Sequence, residues 1–119
     1  MTVPILRQGK FLIASVQASL SDREMDEFKS RMLKESRRSN ATGVVIDVSV
    51  LDVLDSFGTR MLGELVIALR LCGTRGIIVG IQPEVAFAMV MLGMQSQLFE
   101  TALDLDAGLA MLAHRVTQS

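Results

Sequence analysis

Two short runs, Gly43-Val44-Val45-Ile46-Asp47 and Gly76-Ile77-Ile78-Val79-Gly80-Ile81, constrain the fold of this chain more than any other feature. Both are almost continuously apolar and rich in β-branched residues. A strand that alternates apolar with polar can leave one face in water. A strand without alternation must be covered on both faces, as in parallel sheets flanked by helices.

Helical periodicity fills the intervals. Ser21 with Glu24 has the form of a capping box, and Leu20 and Met25 occupy the positions of a hydrophobic staple. Met25, Phe28, Met32 and Leu33 follow at helical spacing, and this helix is expected to reach about Ser39. A second helix opens near Ser56, carries Phe57, Met61, Leu65, Ala68 and Cys72 on one stripe, and ends at Gly73. Pro83 suits the first position of a third helix, and Gly93 its stop. The stretch from Val85 to Leu92 is apolar all round, so that helix is either deeply buried or partly covered by a partner. Leu98-Phe99 is expected to form a short strand. Asp106 is expected to cap a last helix with Leu109, Leu112 and Val116 on one side.

At the start, Pro4 to Gln8 and Phe11 to Gln17 flank a Gly9-Lys10 turn and read as a hairpin. The expected fold is therefore α/β: a mixed, mostly parallel sheet of about four to five strands with an N-terminal hairpin, covered by about four helices. Residues 1–119 are expected to form a single domain. Right-handed crossovers place the loops after Asp47 and Ile81 at the same carboxyl-end edge of the sheet.

Composition excludes several functions. Lys and Arg total 12 against 13 Asp and Glu, with no dense basic patch beyond Arg37-Arg38, so no nucleic-acid partner is expected. There is no Trp or Tyr to offer stacking platforms for single strands. Cys72 is the only cysteine, so it has no partner for a disulfide or a CxxC metal site, and its place on the helical stripe predicts a buried thiol. No signal-peptide core follows Met1, and the run from Val85 to Leu92 is too short to span a bilayer. A cytoplasmic protein with no membrane association is expected. The eight Met residues suit adaptable interfaces as well as irregular cores.

The segment with chemical content runs from Val45 to Thr59. A buried strand ends in Asp47, a loop carries Ser49 and Asp52, and Asp55-Ser56 opens the next helix. Helix N-termini carry unpaired N–H groups and partial positive charge, so a phosphoserine there is tolerated locally. Gly58, one turn in, removes bulk where another backbone could approach. Asp-Ser before a helix is also an ordinary cap, and the pair alone does not decide between the two roles. The chain shows no set of residues supplying nucleophile, base and oxyanion donors together. No catalytic residue, metal site or cofactor is expected.

Further motifs extend the pattern. Ile46-Asp47-Val48-Ser49, then Leu54-Asp55-Ser56-Phe57-Gly58 and Leu62-Gly63, resemble the anti-sigma-factor-antagonist branch of the STAS family. The resemblance continues through Pro4-Ile5-Leu6, Ile13 to Gln17, Gly80-Ile81-Gln82-Pro83 and Thr101 to Leu105, which is essentially the whole chain. It is strongest to the small STAS subunits of bacterial stress-signalling complexes, the stressosomes. The resemblance implies a STAS fold and a non-catalytic regulator. It implies assembly, as a homo- or hetero-oligomer, with longer sensor-bearing STAS paralogues, and retention of a switch serine kinase of the histidine-kinase-like ATPase class. The kinase would phosphorylate Ser56 on stress and leave, and a resetting phosphatase would restore the site. Asp47, Ser49, Asp52, Asp55, Phe57, Gly58 and Thr59 would form the partner surface, with Thr59 otherwise an ordinary helix residue.

Two alternatives remain at this level. A phospho-aspartate receiver would use Asp47, but it needs further carboxylates to hold Mg²⁺, and the first strands carry Arg7, Gln8 and Lys10 instead. A purely structural assembly subunit would use Ser56 only as a helix cap.

Overall fold

Strand β3 (Gly43–Asp47) lies at the middle of a five-stranded sheet, and its neighbours follow from the need to cover it. The computed structural model describes residues 3–93 and 100–114. The hairpin strands β1 (Ile5–Gln8) and β2 (Phe11–Ser15) come first, then helix α1 (Asp22–Ser39), β3 and α2 (Ser56–Leu71). They are followed by β4 (Arg75–Val79), α3 (Pro83–Met91), β5 (Glu100–Ala102) and α4 (Leu105–His114). The sheet order is β1-β2-β3-β4-β5. Only β1 is antiparallel to its neighbour; β2 to β5 are parallel, with Ile13, Val45 and Ile77 in register across the three middle strands.

The two faces of the sheet bury different sets. Leu12, Ala14, Val44, Ile46 and Ile78 point to one face and pack with Met25, Phe28 and Met32 of α1 and Met61, Leu62, Leu65 and Leu69 of α2. Val45, Ile77 and Val79 point to the other and meet Leu112, with Leu105 and Leu109, of α4. Each aliphatic side chain so buried contributes about 1.5–3 kcal/mol before chain entropy is counted.

Local signals set the ends. Ser21 Oγ accepts from the Glu24 amide at 3.1 Å and the Glu24 carboxylate accepts from the Ser21 amide at 2.9 Å, completing the capping box. Asn40 closes α1 in the left-handed region at φ 53. Beneath that end, the Ser36 and Thr74 hydroxyls are 3.1 Å apart, and Thr74 Oγ1 donates to the Ala41 carbonyl at 3.1 Å. This buried pair ties α1 to the start of β4. Arg75 then binds Glu100 through Nε at 2.6 Å and the Met111 carbonyl through Nη1 at 2.9 Å, joining β4, β5 and α4. The Arg75 hydrogen bonds hold the Glu100 carboxyl below its ordinary pKa.

Three sequence expectations change. Cys72 is exposed, because α2 ends at Leu71 and Cys72 is its C-cap, where the apolar stripe no longer faces the core. The last helix is capped by Asp104, whose Oδ1 accepts from the Ala107 amide at 2.9 Å; Asp106 lies inside the first turn, where its charge still suits the helix dipole. The strand run ends at Val79, since Gly80 turns the chain at φ 77. The strand expected at Leu98-Phe99 and the position of Val116 lie outside the described residues; β5 itself is Glu100–Ala102. Among the described residues no helix is long and apolar enough to cross a membrane.

Helix α4 sits close to the sheet because it does so over glycines. A Cβ on Gly108 would stand 2.8 Å from Val79 Cγ1, and one on Gly43 2.7 Å from Leu112 Cδ2. Val79 is β-branched and fully buried, whereas the Leu112 tip can rotate. Alanine at position 108 gains about 1 kcal/mol in helix propensity but overpacks at a cost of about 1–3 kcal/mol. Gly108→Ala is expected to be net destabilising, and by more than Gly43→Ala, in urea unfolding midpoints compared at equal m-value.

Candidate functional site

The loop from β3 to α2 is anchored by a spacing of three. Val48, Leu51 and Leu54 are buried in the core shared by α1 and α2, while the residues between them face solvent. Leu51 N–H donates to the Val48 carbonyl at 3.0 Å, a turn that lets both side chains point inward. The exposed set that results is Ser49, Val50, Asp52, Val53, Asp55 and Ser56. Two valines and four ionisable or phosphorylatable groups thus share one edge of the sheet, and the buried leucines give that edge a fixed shape.

Asp55 is the N-cap of α2. Its Oδ1 accepts from the Gly58 amide at 2.7 Å, and its carbonyl accepts from the Thr59 amide at 2.9 Å. Ser56 is therefore the first helical residue and not the cap, and its side chain is exposed. Phe57 is half-buried against the main core, and the Arg60 guanidinium lies over its ring, 5.5 Å from the centroid. At an exposed position this contact is worth about 0.5–1 kcal/mol.

Two residues expected at a partner surface are internal. Gly58 is buried, and a Cβ there would stand 2.9 Å from Leu54 Cδ1 and 3.2 Å from Asp55 Oδ1. Its missing side chain makes room for this chain's own loop and cap, not for another backbone. Thr59 is 2% exposed, and its Oγ1 has no hydrogen-bond partner among the described residues. One turn after Ser56, it points into the core and presents no surface.

The other side of the loop is held by Asp47 together with Gly80 and Gln82, to which sequence reading gave no role. Asp47 Oδ1 accepts from the Ser49 amide at 2.9 Å, and Gln82 Nε2 donates to the Ser49 carbonyl at 2.7 Å. Gly80, at φ 77, packs so closely that a Cβ would lie 2.7 Å from Ser49 Cβ. Val48 N–H donates to the Val79 carbonyl at 3.0 Å, so the β3 and β4 exits are stitched together. Gly80 and Gln82 lie in a run that carries the family resemblance, but their task is visible only where the two loops meet. Among the described residues no group of three or more His, Cys, Asp and Glu converges to hold a metal.

The mixed sheet and its covering helices have counterparts in known proteins. A model of the STAS domain matches residues 2–108. The chain belongs to the STAS family. It is similar to a serine-to-glutamate variant of RsbS from Moorella thermoacetica, with 32% identity and a TM-score of 0.88 over 98% of each chain. It is also similar, at 32% identity and TM-score 0.84, to a chain in the structure of the stressosome, a signal integration and transduction hub; 98% of this chain and all of that one are covered. The anti-sigma factor antagonist SpoIIAA in its unphosphorylated form shares the fold, at TM-score 0.69 and 11% identity over 99% of this chain and 100% of the other. No curated protein matches the sequence. The chain is thus an RsbS-like STAS protein of the regulatory kind, with the five-stranded STAS sheet.

The Gly80 contact gives a direct test of how the STAS loop is held. Gly80→Ala combines a side chain at positive φ with a clash against Ser49. It is expected to destabilise the fold by about 1–3 kcal/mol and to raise amide exchange at Ser49 and Val50, measured by hydrogen–deuterium exchange.

Proposed function

We propose that this chain is the phospho-acceptor subunit of a stressosome-like complex in the cytoplasm. In this reading it retains a serine kinase and releases it when Ser56 is phosphorylated. It acts as a substrate and scaffold, not as a catalyst. The γ-phosphoryl group of ATP passes to Ser56 Oγ, the hydroxyl proton is released, and ADP leaves with the kinase. A phosphatase hydrolyses the ester to reset the site.

The observation that carries the reading is the exposure of Ser56 at the first position of α2, after a loop fixed by buried leucines that also exposes Val50 and Val53. A hydroxyl there is reachable by another protein, and the exposed valines give that protein something to bury. The serine-to-glutamate substitution in the related RsbS structure replaces a hydroxyl by a charge, as a phosphoserine mimic would. Asp55 supports the reading a second way. It already caps α2, so Ser56 is not needed for the helix and is free to be modified.

The energetics favour a switch at the interface. Phosphate adds about −1.5 to −2 charges beside Asp55 and near Asp52. The helix terminus offsets roughly 0.3–1 kcal/mol of this in an exposed setting, so the fold survives. A docked kinase faces the charge in a partly desolvated contact, and each 1.4 kcal/mol lost weakens binding about tenfold. Ser56→Ala is expected to retain the kinase permanently, Ser56→Asp to weaken retention in part, and the phosphorylated protein to weaken it most. Isothermal titration of the cognate kinase against all four forms tests this. Equal affinity for modified and unmodified protein, or phosphate mapped to Ser49 with Ser56 untouched, would sink the proposal. So would self-labelling of the purified chain by ATP.

Assembly with other STAS subunits is assigned to α3. Val85 and Met89 are buried, but Phe87, Val90 and Met91 are 71%, 68% and 73% exposed on the other side of a helix whose only charge is Glu84. An apolar face of this kind marks a protein contact, and a paralogue with the same uncharged face could pack against it without opposing like charges. Met91→Glu is expected to weaken co-assembly with a sensor-bearing paralogue about tenfold or more, since burying a Met is worth about 1.5–3 kcal/mol. Its melting temperature should stay unchanged. Sedimentation velocity of the mixed subunits reads the first effect, and unchanged assembly would remove α3 from the interface.

A further inference from the structure

Arg60 has no part in the switch as described so far. It is exposed on α2 at i+4 from Ser56, and its guanidinium covers the Phe57 ring. Among the described residues it forms no hydrogen bond or ion pair. The acid one turn further on, Glu64, is bound by Lys29 at 3.3 Å. The acid at the helix start, Asp55, has its Oδ1 on the Gly58 amide. A cation on a long stem is thus left beside the serine with only an aromatic face to hold it.

We propose that Arg60 is the intramolecular ligand of phosphorylated Ser56, and that on modification its guanidinium leaves the Phe57 ring for the phosphate and uncovers the ring. This rests on the reading of Ser56 given above. Residues i and i+4 are neighbours on a helix surface, about 5–6 Å apart at Cβ, and an acid preceding a base is the favourable order. Before modification the serine hydroxyl offers Arg60 one weak acceptor, and attraction to the ring decides its position. A phosphate offers three acceptor oxygens and close to two charges. Arginine meets such a group with two parallel N–H donors, and that charge-assisted pair outweighs an exposed cation–π contact. Asp55 and Asp52 repel the phosphate from the loop side, which turns it toward Arg60.

The inner side of Phe57 packs on the core, so the ring stays where it is while its cover moves. A partner then meets two changes in one place: a new anion, and an aromatic face without its cation. The pairing also keeps the phosphate from disturbing the first turn of α2.

The test uses the full chain with phosphoserine installed genetically at position 56, so that no kinase takes part. Side-chain NMR of Arg60 is compared with the unmodified protein. The unmodified chain should show Arg60 Cδ–H signals shifted upfield by the Phe57 ring current. The phosphorylated chain should lose that shift, while the Arg60 Nε–H signal moves downfield through its bond to phosphate. Cδ–H signals that stay upfield after phosphorylation would overturn the inference, as would their absence upfield before it. Loss of the upfield shift without the Nε–H movement would also overturn it, since Arg60 would then be solvated and not paired. Because phosphate is supplied directly, a failure here leaves the kinase titration to judge the switch by itself.

Discussion

Strand β3 must be hidden on both faces and paired on both edges, and the remainder of the molecule follows from that demand. Val44 and Ile46 face α1 and α2, and Val45 faces α4. Parallel neighbours on either side need crossover connections, so every strand from β2 onward exits at the same edge. That edge receives the loop carrying Ser56 and the Gly80–Gln82 segment together. The proposed site therefore lies where the chain leaves the sheet, as in other open α/β arrangements, although here the edge presents a surface and not a crevice.

The switch proposed for Ser56 needs an exposed side chain, and a partner that reads it by shape needs a backbone that does not drift. The two requirements conflict in an ordinary loop, and this chain resolves them by dividing the labour along the sequence. Val48, Leu51 and Leu54 supply the anchoring, Asp55 supplies the cap, and Gln82 with Gly80 fixes the far side against Ser49. Ser56 carries none of these tasks. Its hydroxyl can change chemistry without removing a cap hydrogen bond.

The sequence made the sheet, the hairpin and the helix starts legible because each has a local cause: an unbroken β-branched run, a glycine turn, a capping box, a proline at the first helical position. Where reading failed, the cause was not local. Cys72 continued a helical stripe, but the stripe outlasted the helix by a residue and the thiol emerged into solvent. Asp106 reads as the cap from sequence, but the backbone path out of β5 puts Asp104 in that place. Gly58 and Thr59 sit one turn past an exposed serine, yet the helix rotates them inward, so proximity in sequence overstated the exposed surface. Gly80 and Gln82 act across a gap of about thirty residues, and no periodicity reports such a contact. The α3 helix, apolar all round, left open whether it was buried or covered; Val85 and Met89 are buried, and Phe87, Val90 and Met91 are exposed.

Magnitudes decide what a charge at Ser56 can change. A domain of this size is stable by about 5–15 kcal/mol. Two unit charges at 4 Å in water repel by only about 1 kcal/mol, and salt screens even that. Added charge beside Asp52 and Asp55 therefore falls well short of unfolding the chain, and the helix terminus offsets part of it. The same charge under a docked protein loses water and gains strength as the local dielectric falls. The fold thus keeps its shape in both states, and the difference between them is felt only by whatever binds the edge. A rigid acceptor of this kind would suit the proposed assembly, because the contacts proposed for α3 need not change when the serine does.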